Sequence, residues 1–77
     1  MITIEAARVN AGLSQYEAAK RLGFSQKTYI DYEKYRKSLR INMAYKLAGL
    51  YNQPFDNIIF LPDDYKTFVV EHRHPEK

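Results

Sequence analysis

Apolar residues recur at helical spacing through most of this chain, and polar or glycine residues punctuate them. Ile4, Ala7 and Ala11 fall on one face and predict a first helix over residues 4–11, which Gly12 ends in a left-handed conformation. Ser14-Gln15-Tyr16-Glu17 has the pattern of a capping box, so a second helix is expected over 15–22 with Ala18, Ala19 and Leu22 buried. Gly23 supplies another stop and Ser25 another cap. A third helix follows over 26–34, with Tyr29, Tyr32 and Glu33 on its inner face and Gln26, Lys27, Ile30 and Asp31 elsewhere.

Residues 35–40 carry no apolar period and read as a basic loop. A fourth helix is expected over 41–51, turning Ile41, Ala44, Leu47, Ala48 and Tyr51 inward, with Asn52 as its left-handed stop. Pro54 at a first helical position predicts a short fifth helix through Phe55, Ile58 and Ile59, ended by Leu61-Pro62. Beyond it, Tyr65, Thr67, Phe68, Val69 and Val70 are strand formers and predict an extended segment. Such a strand needs a partner edge, within the domain or across a dimer. The pattern divides the chain into a helical domain over 1–61 and a partly extended tail over 62–77, with no internal repeat or low-complexity tract.

Composition narrows the class. Seventy-seven residues make one domain, which buries roughly 60% of its unfolded surface and is stable by on the order of 5 kcal/mol. The absence of cysteine excludes disulfides and thiolate metal sites and fits a reducing cytoplasm. The opening MITIEAARVN is neither a basic nor an apolar run, so no signal peptide is expected. No apolar stretch approaches the roughly 18 residues of a membrane span.

Charge adds a direction. The net charge is only +3, but residues 20–46 hold eight basic residues against two acidic ones, whereas 62–77 holds three against four. A basic patch on a small domain is either a solvated face or a surface for phosphates.

Two helices joined by a short glycine-containing turn, here Gly23-Phe24-Ser25, are the physical description of a helix-turn-helix. The run LSQYEAAKRLGFSQKTYIDYE over 13–33, followed by a basic loop and AYKLAGLYNQPFDNII, resembles the lambda-repressor-like or Cro-type (XRE) helix-turn-helix regulators, and within them the phage-borne branch. The resemblance covers about 4–60. It implies an all-α, compact five-helix fold, here with a short extended C-terminal tail.

The resemblance also implies roles. Gln26, Lys27, Thr28, Ile30 and Asp31 would face the major groove, where Gln meets adenine, Lys meets guanine and methyl groups meet thymine. Asp31 would accept from a cytosine amine or orient Lys27, four residues earlier. Gln15, Tyr16, Lys34, Arg36, Lys37 and Arg40 would touch the phosphate backbone, with simple exposure the other reading of Tyr16. Gln15 would also brace the third helix. Arg8 and Glu33 occupy the positions of a family salt bridge.

Three residues depart from the family pattern. Tyr35 stands where glycine usually follows the third helix, so either the backbone differs there or the helix runs on. Leu39 replaces a frequent proline. Arg40 replaces a capping serine or aspartate, with Asn42 as an alternative cap.

Other candidates read more simply. Tyr29, Tyr32 and Tyr51 fall on core faces rather than on a base-stacking platform. His72 and His74 lack a third ligand at supporting spacing, and Asp63-Asp64 reads as a turn. No catalytic site, metal site or cofactor is expected. The leading expectation is a sequence-specific double-stranded DNA-binding transcriptional regulator, a repressor of phage or mobile-element type. It would act as a cytoplasmic homodimer through Phe55, Ile58 and Ile59, with or without the 65–70 segment. The alternative is an antitoxin-type module that binds DNA and, through its tail, a protein. A third reading is a helix-turn-helix fold reused as an adaptor without DNA.

Overall fold

The computed structural model describes residues 1–72, for 71 and 72 the backbone only; the His72 side chain and His74 lie outside what is described. The order is α1 (Ile4–Asn10), α2 (Gln15–Leu22), α3 (Gln26–Glu33), α4 (Ile41–Leu50), a 3₁₀ turn (Phe55–Asn57) and α5 (Pro62–His72). The fold is all-α, with five α-helices among the described residues and one isolated β-bridge.

Local chemistry sets the first three helix starts. Thr3 accepts from the Ala6 amide, and Ser25 from the Thr28 amide. Ser14 and Glu17 form both bonds of a capping box, at 2.9 and 3.0 Å. Arg40 begins α4 without any side-chain cap, so neither serine-like capping nor a shift to Asn42 occurs there.

The helix ends share one device. Gly12, Gly23, Tyr35 and Asn52 all adopt positive φ, at 76°, 83°, 63° and 55°. Each is followed by a backbone N–H that reaches five residues back, as Phe24 does to Ala19 and Arg36 to Asp31. The backbone at Tyr35 is therefore the one glycine would supply, and a tyrosine has taken it up.

The core gathers Ile4, Ala7, Leu22, Tyr29, Leu47, Tyr51, Ile58 and Ile59. Ala18 and Ala19 are buried, which keeps α2 close enough to α3 for a three-residue turn. The chain start pairs with the segment after the 3₁₀ turn: Ile2 donates to Asn57 at 2.8 Å, and Ile59 donates to Ile2 at 2.9 Å.

That pairing corrects the expected helix over 54–59. Pro54 precedes a single 3₁₀ turn, and Ile58 is extended because the residues on either side of it, Asn57 and Ile59, pair with the N–H and C=O of Ile2, and both bridged residues are β-branched. The fifth α-helix lies later, in the segment expected to be extended. Pro62 opens it and Asp63 and Asp64 fill its first turn, where acidic side chains complement the helix dipole; they form no separate turn. Tyr65 and Phe68, three residues apart, then pack on the core. An isolated strand would have left its edge groups unpaired.

Two further expectations change. Ile41 is 62% exposed rather than inward, because it is the first residue of α4, where the side chain points back past the helix start. Ile58 and Ile59 are only 3% and 2% exposed, so of the trio expected at a dimer surface, Phe55 alone keeps substantial surface.

Candidate nucleic-acid interface

The inner face of α3 is held by a cluster centred on the Glu33 carboxylate. Arg8 from α1 donates to Oε1 at 2.7 Å and more weakly to Oε2 at 3.4 Å. Gln15 from the start of α2 donates to Oε2 at 2.9 Å, and the Tyr29 hydroxyl donates to Oε1 at 2.8 Å. Tyr51, just after α4, donates in turn to the Tyr29 oxygen. Arg8 also caps the Leu13 carbonyl at 2.7 Å. One carboxylate therefore fastens α3 to α1, α2 and the end of α4.

The electrostatics fit a charged pair. Burial alone would raise the Glu33 carboxyl, but hydrogen bonds from Arg8, Gln15 and Tyr29 outweigh it and hold it below its ordinary range. Arg8 is raised, chiefly by its bond to Glu33. Burial pushes the Tyr29 and Tyr51 hydroxyls up, Tyr51 to about 12, so both stay protonated as donors.

The outer face is what the clamp leaves free. Gln26 and Lys27, at the start of α3, are exposed. Thr28 and Ile30 are half-buried, and the Thr28 hydroxyl accepts from Ser25 at 2.9 Å. Tyr16 is exposed at the start of α2, and Lys34, Arg36, Lys37 and Arg40 are exposed from the end of α3 to the start of α4. Lys34 lies 3.8 Å from Glu5. Gln15 braces Glu33 with one amide hydrogen and retains a second for an outside acceptor.

Asp31 is the exception among the residues expected to face bases. It is buried, and Arg36 donates to its Oδ1 at 3.2 Å, while the Lys27 and Lys37 ammonium groups lie 3.8 and 4.0 Å from Oδ2. The Arg36 bond, reinforced by the two lysines, holds its carboxyl below the usual range. Arg36 is its hydrogen-bond donor, and Lys27 lies beside it at the four-residue spacing expected of an orienting contact. The four-residue spacing from Lys27 was legible; the return of Arg36 and Lys37 was not, because it depends on the turn at Tyr35.

Tyr35 was the other residue whose role sequence reasoning missed. Its hydroxyl accepts from the Ile4 amide at 3.1 Å and donates to the Ile59 carbonyl, and its ring stacks on Tyr65 at 4.2 Å. Among the described residues no group of His, Asp or Glu is arranged to hold a metal, and no helix is long and apolar enough to cross a membrane.

A protein-family model described as Helix-turn-helix matches residues 4–58, and the chain belongs to that family, the XRE or lambda-repressor-like helix-turn-helix proteins. Neither the curated proteins nor the solved structures gave a match. The family is one of DNA-binding regulators, usually without enzymatic activity.

Proposed function

We propose that the chain is a sequence-specific double-stranded DNA-binding repressor of phage or mobile-element type, with α3 in the major groove. The observation that carries this reading is the division of α3. Its inner face is fixed by Glu33 and Tyr29, while Gln26 and Lys27 are exposed beside a run of further cations. A helix held that firmly presents its N-terminal side chains at one angle, which base reading requires. Lys34, Arg36, Lys37, Arg40, Gln15 and Tyr16 flank it as phosphate contacts.

One such domain reads a half-site, so we infer a homodimer on half-sites about 34 Å apart. A groove of about 520 Å³ bordered by Leu39, Ile41, Phe55, Ile58, Phe60 and Leu61 is the apolar surface available for it. The antitoxin-type alternative has no observation of its own here: segment 65–70, expected to order only against a partner, is helical within the chain.

The test is binding of Lys27→Ala to a duplex enriched from a random pool and to its scrambled version. The expected result is a loss of about 1–3 kcal/mol on the enriched duplex and a much smaller one on the scrambled duplex. Equal losses on both would remove α3 from the groove. Affinity that stays flat between low and moderate salt would remove the phosphate contacts.

A further inference from the structure

Asp31 is a buried acid on the DNA-facing side of a basic domain, where an unpaired carboxylate would repel phosphate. It is far from unpaired. Its two oxygens divide three cations from two parts of the chain: Arg36 on Oδ1, and Lys27 with Lys37 on Oδ2. Its backbone carbonyl accepts from the Arg36 amide at 2.8 Å, so one residue fixes both the main chain and the head group of Arg36. The Lys27, Arg36 and Lys37 side chains are nonetheless 89%, 64% and 55% exposed, open to a further anion.

We propose that Asp31 is a positioning residue that sets sequence discrimination: its carboxylate gathers Lys27, Arg36 and Lys37 into a fixed fan and restrains their attraction for phosphates at unselected sites. The inference rests on the DNA-binding reading above. Three untethered cationic side chains would each find a phosphate on any duplex, because that attraction carries no sequence information. Tethered to one carboxylate, they are offered together and at a set angle to α3. DNA competes well with Asp31 only where a base edge takes Lys27 while phosphates take Arg36 and Lys37, which requires α3 to be seated in the groove. The carboxylate thus weakens binding everywhere, and least at the correct site.

The experiment compares Asp31→Asn with Glu5→Gln. Each adds one unit of charge, but Glu5→Gln frees only Lys34, outside the fan. Affinity for the enriched and scrambled duplexes is measured across a salt series. Asp31→Asn is expected to bind scrambled DNA up to about tenfold more tightly, with a salt slope steeper by about 0.9 for each phosphate gained, and to gain less on the enriched duplex. Glu5→Gln is expected to shift both duplexes equally. Asp31→Glu, which keeps the charge on a longer arm, is expected to retain weak binding to scrambled DNA, and this separates the charge from any loss of folding. A ratio between the two duplexes that Asp31→Asn leaves unchanged, or moves no more than Glu5→Gln does, overturns the proposal. Discrimination by the unaltered chain in that same experiment leaves the DNA-binding reading standing, whereas an unaltered chain that binds neither duplex overturns both.

Discussion

Gly23 ends α2 and Tyr35 ends α3, at φ values of 83° and 63°, and the two turns close with the same pair of backbone bonds. Gly23 reaches that conformation at no steric expense, and a Cβ there would meet nothing within 4 Å. Tyr35 enters a region that costs an L-residue about 1–2 kcal/mol. It is held there by its hydroxyl, bonded to Ile4 and Ile59, and by its ring, stacked on Tyr65. The turn before α3 is thus a local property of three residues. The turn after it exists only once the chain start, the extended 58–59 segment and α5 have assembled around Tyr35. The helix is aimed from one side by the sequence next to it and from the other by the whole fold.

The sharpest way to break this contrast is to remove the Tyr35 side chain. Tyr35→Ala is expected to cost about 3–5 kcal/mol, as deletion of a buried ring does, which is most of the roughly 5 kcal/mol a small domain has. Tyr35→Gly is expected to recover about 1 kcal/mol of that by relieving the left-handed strain. Urea denaturation of both variants reads the difference. A glycine variant as stable as the native chain would mean the tertiary contacts contribute no more than the left-handed strain costs.

Tyr35 has a second signature, in alkali. Burial pushes its hydroxyl up to about 12, above the ordinary value of 10. A raised folded-state value means its stabilisation is complete below pH 10 and lost as pH rises towards 12. Tyr35→Phe should remove that part of the alkaline loss and leave the parts due to Tyr51 and Tyr29, whose hydroxyls burial also raises.

The same contrast explains what was legible beforehand. Ser14, Glu17, Gly23 and Ser25 act within a turn or two of their own positions, so their spacing alone placed α2, the turn and α3. The Arg8–Glu33 pair was open to inference only through the family resemblance, since nothing local links residues 25 apart. The stretch 54–72 misled because its local signals were outweighed from a distance. Ile2 drew Ile58 out of a helix, and the core offered Tyr65 and Phe68 a surface at helical spacing that no strand edge matched. The surroundings of Asp31 were only partly legible for the same reason: Lys27 lies four residues away on the same helix, whereas Arg36 and Lys37 return to it only through the turn at Tyr35.

A smaller effect tests the autonomy of the first turn. Gly23→Ala is expected to cost about 1–2 kcal/mol, the φ penalty alone, because the added methyl enters open space. A loss as large as that of Tyr35→Ala would show that the α2–α3 turn also depends on contacts beyond itself. Thermal unfolding of the two variants side by side gives the ranking.

The smallest effect, and of opposite sign, lies at the far end of the same basic loop. Arg40 stands at the start of α4 with extended backbone, φ −68° and ψ 151°, yet its side chain caps nothing. The corresponding positions of α1, α2 and α3 hold Thr3, Ser14 and Ser25, each accepting a backbone amide. Arg40→Ser should therefore stabilise the chain by about 1 kcal/mol. Among the described residues Arg40 makes no ion pair, so the fold gains nothing from its charge. Tyr35 is costly locally and is compensated within the chain, whereas Arg40 is costly locally and is compensated by nothing inside it. Under the proposed function its compensation is a phosphate. The same Arg40→Ser variant should then bind duplex DNA more weakly, with a salt slope shallower by about 0.9. A variant that gains stability while keeping its affinity and its slope would take Arg40 off the DNA.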